Sequence, residues 1–223
     1  MYFPIICVDN FFSDPDYVFK LAEEAEYNKS IDNRWPGARS NYLHSIHPML
    51  FELTFRKIIS LFYSYEETLD TVWNVDMTFQ KIIPLENQNS FYPDGWVHSD
   101  NNNIFAGLIY LSKDSEINTG TSIYTARSPV ATPINHKIKE QLYSGTLTDI
   151  DLYNRGVKEN NDQFEETITV KNKFNRLIMY DAANFHAAKN IMRLTNPRYT
   201  LVFFARKFVA NRFPIPQTKC FPI

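Results

Sequence analysis

From Val72 onward the chain is a succession of short apolar segments broken by polar, turn-forming ones, and this texture constrains its fold more than any other feature. VDMTFQKII, WVHSD, FAGLIYL, GTSIYTA, ETITV, NRLIMYD and RYTLVFFARKF each read as a strand, with turn-rich pieces such as LENQNSFYPDG and SKDSEINTG between them. Many short strands in succession favour a sandwich or jelly roll. Before Val72 the pattern is different. Residues 2–8 read as a first strand. A helix follows in NFFSDPDYVFKLAEEAEYN, where Ser13 is the expected cap, Pro15 lies in the first turn, and Val18, Leu21, Ala22 and Ala25 repeat at helical spacing. A second helix fits PMLFELTFRKIISLFYSY, with Leu50, Phe51, Phe55, Ile58, Ile59 and Phe62 as its apolar stripe.

The expected organisation is one domain over residues 1–223. It comprises an N-terminal strand and supporting helices (1–73), a β core (74–210) and an extended tail (211–223). Between Ser128 and Glu165 the strand pattern stops. A short helix at NHKIKEQLY and a polar stretch, YNRGVKENNDQ, read there as an insertion between two core strands, of the kind that often covers an active site.

Composition narrows the function. With 44% hydrophobic and 15% aromatic residues in 223, one well-filled core is affordable. Only 6 residues are Gly, and no glycine-rich phosphate-binding fingerprint is present. A net charge of −2 disfavours a nucleic-acid partner. The two cysteines, Cys7 and Cys220, make neither a disulfide framework nor a zinc spacing, which fits free thiols in a reducing compartment. The opening MYFPIICV lacks the basic lead and cleavage pattern of a signal peptide, and no apolar run reaches the length of a membrane span. A cytoplasmic protein without a membrane partner is expected.

Chemistry concentrates in three places. In WVHSD, alternate residues of a strand point the same way, so His98 and Asp100 project side by side. His186, after the apolar strand NRLIMYD, can complete a 2-His-1-carboxylate face with open positions, the ligand set of non-haem Fe(II) oxygenases. Arg198 opens the apolar run YTLVFF, so its side chain is expected in a sheet interior, where it needs an anionic partner. Thr200 is on the same face and can add a hydroxyl to a carboxylate held there. Arg193 competes for that role but lies in a polar loop, where a solvated position is expected. Arg39, after the Pro36-Gly37 turn, is read as a surface salt bridge in preference to a pocket charge, and His44, His47 and His136 as surface or packing residues.

From Thr78 to Lys207 this arrangement resembles the 2-oxoglutarate/Fe(II)-dependent oxygenase superfamily, and within it the prolyl-4-hydroxylase-like branch. His98-Ser99-Asp100 is similar to the family's H-x-D, and His186 to its distal ligand. Gly107 to Asp114 is similar to its strand ending in Tyr-Leu-Asn-Lys-Asp, Gly120 to Tyr124 to its Gly-Gly-x-Leu-x-x-Phe segment, and Arg198-Tyr199-Thr200 to its Arg-Tyr-x-x strand. The resemblance implies a mainly β fold with N-terminal helices, built on a double-stranded β-helix (jelly-roll, cupin-like) core. It implies Fe(II) held by His98, Asp100 and His186. It further implies 2-oxoglutarate as cosubstrate with its C5 carboxylate at Arg198, Thr200 and the Tyr110 hydroxyl, and O2 as oxidant. The activity it implies is hydroxylation of a peptidyl (proline-like) or small-molecule substrate, with decarboxylation of 2-oxoglutarate to succinate. Where the branch often has a tyrosine this chain has Ile82-Ile83-Pro84, so no residue is assigned to the C1 carboxylate. The stretch from Asp14-Pro15-Asp16 to WPGARS is also similar to the start of some uncharacterised oxygenase-like families. The competing class is a cupin-like jelly roll that binds a ligand or another metal without catalysis.

Overall fold

The structure, a computed structural model, describes residues 3–29, 35–114, 116–128, 136–212 and 214. Cys220 and most of the tail expected to be extended lie outside them. In chain order the elements are β1 (Ile6–Val8), α1 (Pro15–Glu24), β2 (Tyr27–Lys29), β3 (Ala38–Ser40), α2 (Leu43–Ile46), α3 (Pro48–Ile59), α4 (Tyr65–Leu69), β4 (Val72–Ile82), β5 (Phe105–Tyr110), β6 (Thr121–Ala126), α5 (His136–Ser144), α6 (Ile150–Asn161), β7 (Phe164–Val170), β8 (Leu177–Asp181), β9 (Phe185–Ala188) and β10 (Arg198–Val209). A seven-stranded antiparallel sheet runs β1-β8-β5-β10-β4-β3-β2, and a three-stranded one runs β7-β6-β9. This is the mainly β, jelly-roll architecture expected, with helices supporting the larger sheet.

Period-two alternation on β10 explains how the layers are filled. Leu201, Phe203 and Ala205 point to the helical side and join Met77 and Phe79 of β4, Phe105 and Ile109 of β5, Val18 and Ala22 of α1, and Phe55 and Ile58 of α3. The intervening residues Arg198, Val202 and Phe204 face a cavity on the other side. Between the sheets, Ala106, Tyr110, Ile178 and Tyr180 of the large sheet pack on Ile123 and Val170 of the small one. Gly107 sits where β5 crosses beneath Phe203, and a Cβ there would lie 2.4 Å from the Ile178 carbonyl oxygen and 2.5 Å from the Phe203 ring. We expect Gly107→Ala to destabilise the fold by about 1–3 kcal/mol through overpacking, read as a lower urea midpoint with unchanged slope. An unchanged midpoint would mean that β5 is free to move.

Several local expectations are corrected. The cap of α1 is Asp14, not Ser13: its carboxylate accepts from the Tyr17 amide at 3.0 Å, because Pro15 occupies the first helical position. The second helix stops at Ile59, and the chain restarts as α4 on a capping box in which Ser64 and Glu67 bond each other's backbone amides. The stretch read as polar, YNRGVKENNDQ, lies almost wholly in α6. Asp149 caps that helix, and Tyr153, Val157 and Asn160 form a buried face that packs with α5 against Trp96 and Met192. No helix among the described residues is long and apolar enough to cross a membrane.

Candidate metal and anion site

WVHSD does not form the regular strand expected of it. Only His98 is paired, in a single antiparallel bridge to His186, with His98 N–H donating to His186 O at 3.0 Å and His186 N–H to His98 O at 2.8 Å. The neighbouring backbone groups are met by side chains of α6. Val97 N–H donates to Asn161 Oδ1, Asn160 Nδ2 to Val97 O, and Asn161 Nδ2 to Gly95 O, at 2.9–3.1 Å. Side-chain amides of α6 thus hold one side of the segment, while main-chain bonds to β9, including Gly95 N–H to Ala188 O at 2.8 Å, hold the other.

That bridge brings the two histidines together. Their ring centroids are 4.5 Å apart, and Asp100 lies beside both: its carboxylate oxygens are 3.8 Å from His98 Nε2 and 3.4 Å from His186 Nε2. One ligand atom from each of the three falls within 4.8 Å of the others. His98 Nδ1 is 2.8 Å from the Trp96 carbonyl and His186 Nδ1 is 3.0 Å from the Asn184 carbonyl. Each contact fixes the tautomer with the proton on Nδ1 and leaves the Nε2 lone pair facing the shared space, as a metal-ligating imidazole requires. Burial, reinforced by His186 and Lys139, pushes the His98 imidazole down to about 3, so at neutral pH no proton competes for that lone pair. Burial disfavours ionisation of Asp100, but the His186 ring beside it and nearby positive charge, including Arg39, outweigh it and hold the carboxyl at about 2. Two imidazoles and one carboxylate are a chemically apt donor set for a divalent transition metal.

The cluster opens into a cavity of about 720 Å³, which Arg198 also lines. Arg198 is 3% exposed, and its Nε makes no hydrogen bond. It stacks 5.3 Å over the Tyr110 ring, whose hydroxyl is 2.8 Å from Thr121 Oγ1. Thr200 is buried and pairs with Tyr110 across β10 and β5. No carboxylate faces Arg198 among the described residues, and a buried guanidinium calls for an anionic partner. The register sets this region apart from the histidines. Tyr180, whose ring is 4.5 Å from that of His186, is level with Ala106 and Phe204, whereas Thr200 is level with Tyr110.

Arg193 is not solvated as expected: it donates to the carbonyl oxygens of Gln88 and Phe91, pinning the loop before His98. Nor is Arg39 in a surface salt bridge. It lines the cavity, its Nε is buried without a partner, and it stacks 4.3 Å over Trp35 and 5.1 Å from Phe204. Gly37, at φ +74°, makes this possible, because a Cβ there would lie 2.1 Å from the Lys81 carbonyl oxygen against which the turn packs. Lys139 of α5 also lines the cavity, and nothing in its surroundings distinguished it in the sequence. His44 stacks on Tyr42, and His47 lies edge-on to Phe79; neither histidine lines the cavity.

The fold so arranged is that of the 2-oxoglutarate/Fe(II) oxygenases. EvdO2 from Micromonospora carbonacea var. aurantiaca superposes with a TM-score of 0.55, covering 95% of this chain and 90% of its own at 10% identity. HygX from Streptomyces hygroscopicus, with nickel, 2-oxoglutarate and hygromycin B bound, gives 0.53 over 90% and 82% at 11% identity. A prolyl hydroxylase from Trichoplax adhaerens, in complex with a hypoxia inducible factor oxygen degradation domain peptide fragment, gives 0.52 over 90% and 82%, also at 11%. At these identities the likeness is one of fold. By sequence the chain belongs to DUF6445, a family of unknown function, which it matches over residues 2–193. That stretch includes Arg39, His98, Asp100, Lys139 and His186 and ends before Arg198. No curated protein matches the chain.

Proposed function

We propose that this chain is an Fe(II)- and 2-oxoglutarate-dependent dioxygenase, a single domain over residues 1–223, that hydroxylates a small-molecule or peptidyl substrate. The observation that carries the reading is one cavity lined both by a His98–Asp100–His186 cluster and by a buried arginine that faces no acid among the described residues. His98, Asp100 and His186 would hold the iron through their imidazole nitrogens and a carboxylate oxygen. Arg198 grips the distal carboxylate of 2-oxoglutarate, with the Thr200 and Tyr110 hydroxyls beside it, a role suited to a guanidinium fork. When bound, iron and 2-oxoglutarate with O2 supply the oxidising chemistry, which yields succinate, CO2 and a hydroxylated product.

The chain's own part is orientation and exclusion of water. The Trp96 and Asn184 carbonyls hold both imidazoles, and Tyr180, buried against His186, closes one wall. The Trp96 and Tyr153 rings tie α6 to the loop that carries His98. A cavity of this size suits a cosubstrate and a compact second molecule or one side chain of a peptide. An exposed free thiol at Cys7 supports a reducing, cytoplasmic setting.

The test is turnover without a known substrate. Protein with Fe(II), ascorbate and 2-oxoglutarate in air is expected to release succinate slowly, and Asp100→Ala is not. Absence of succinate from wild type holding stoichiometric iron would favour a non-catalytic binding protein.

A further inference from the structure

Arg198 is not the only cation lining the cavity without an ion pair among the described residues: Arg39, half-buried, is another. Arg39 enters from β3, paired with Gln80 of β4, and its guanidinium reaches the Phe204 ring at 5.1 Å. Phe204 is level with Ala106 and Tyr180, and Tyr180 touches His186, so Arg39 serves the histidine end of the cavity. Thr200 and Tyr110, beside Arg198, lie four residues back along each strand. Three donors converge at the histidine end without acceptors among the described residues. They are the Arg39 Nε–H, the indole N–H of Trp35 beneath it, and the ammonium of Lys139 from α5. The nearest acids are otherwise engaged. Asp76 is paired with Arg206 at the rim, and Asp100 belongs to the histidine cluster. Arg39 and Lys139 are only half-buried, but the Arg39 Nε–H and the Trp35 indole N–H are shielded from solvent, and leaving these two donors unsatisfied is costly unless something arrives to accept from them.

We propose that the substrate carries an oxyanion, a carboxylate or a phosphate, that docks between Arg39 and Lys139 against the Trp35 indole. This deepens the oxygenase reading and rests on it: Arg198 takes the cosubstrate's carboxylate, and Arg39 takes the substrate's. The planar fork of Arg39 sets the orientation of the anion, and Lys139 of α5, which also lines the cavity, adds a point charge. Recognition of this kind selects a compact acidic molecule over a neutral one, because a neutral ligand would cover both cations without pairing them.

The experiment is calorimetric titration of Mn(II)-loaded protein, saturated with the 2-oxoglutarate analogue N-oxalylglycine, with benzoate and separately with inorganic phosphate. The expected result is one site per chain for at least one anion, weakened tenfold or more in Arg39→Gln and in Lys139→Gln and less in Arg39→Lys. N-oxalylglycine affinity should stay within twofold in Arg39→Gln. Binding of benzoate alone assigns a carboxylate, and of phosphate alone a phosphate. Circular dichroism melting of each variant establishes that it is folded, with Arg39→Lys as the variant that keeps the charge. No anion binding by wild type, or binding unaltered in Arg39→Gln, overturns the proposal. So does loss of N-oxalylglycine in Arg39→Gln, which would give the arginine to the cosubstrate. If N-oxalylglycine fails to bind wild type, the oxygenase reading fails by itself, and the same titrations without it still test Arg39.

Discussion

Asp100→Ala is expected to lose iron while keeping its fold. The carboxylate contributes one of three donors and the only negative charge among them, and it lies within 4 Å of both imidazole Nε2 atoms. Removing hydrogen bonds that merely orient a ligand costs about 10–100-fold in metal affinity, so removing a ligand should cost more than about 100-fold. The fold survives because the loop is held by its backbone. Asp100 N–H donates to Ala182 O, and Asn103 N–H donates to Asp100 O, both at 2.8 Å, and neither bond needs the side chain. His98→Ala should behave alike, since the His98 bridge to His186 is also made by main-chain atoms. The check is metal content after dialysis beside a thermal melt. One iron per chain in wild type and none in either variant, with melting little changed, is the expected outcome. Undiminished iron in both variants would remove the ligand assignment.

Arg198→Met separates the anion site from the metal. A buried guanidinium that meets the carboxylate of 2-oxoglutarate in a dry cavity contributes about 3–5 kcal/mol, on the scale of breaking a buried ion pair, or roughly 100-fold or more in affinity. Iron content should be unaltered, because Arg198 is not among the side chains clustered with His98 and His186. The free protein should melt no lower than wild type, since methionine removes a buried charge that has no acid to face. Loss of cosubstrate affinity without loss of iron or stability is therefore the signature. An unchanged affinity would move the carboxylate elsewhere, with Arg39 the first alternative.

What the sequence made legible depended on whether the deciding interactions were local. β8 and β10 could be read directly, since an unbroken apolar run and a long β-branched and aromatic run both specify buried strands. The meeting of His98 with Asp100 followed from their spacing, though for a different reason from the one expected. The segment is extended because α6 amides bind its backbone on one side while a single bridge and a few main-chain bonds to β9 hold the other, without a regular strand ladder. Those amides come from more than sixty residues away, in a stretch whose polarity hid its helix. Only three of its positions, Tyr153, Val157 and Asn160, are buried, too few to give a clear apolar stripe. Arg39 was misassigned for a similar reason. A Pro-Gly turn ordinarily marks the surface, but here Gly37 lets the turn fold back onto β4, where Gln80 Nε2 donates to the Pro36 carbonyl at 2.9 Å and holds it. The short strands β2, β3 and β9 carried too few residues for a period to be visible.

The most direct test is anaerobic addition of 2-oxoglutarate to the Fe(II)-loaded protein, followed by visible absorption. A weak charge-transfer band that saturates at one equivalent, and that is absent in Asp100→Ala, is the predicted result, because it requires metal, cosubstrate and open coordination positions together. Iron bound in wild type with no band at any concentration of 2-oxoglutarate would contradict the account and leave a metal-binding jelly roll without oxygenase chemistry.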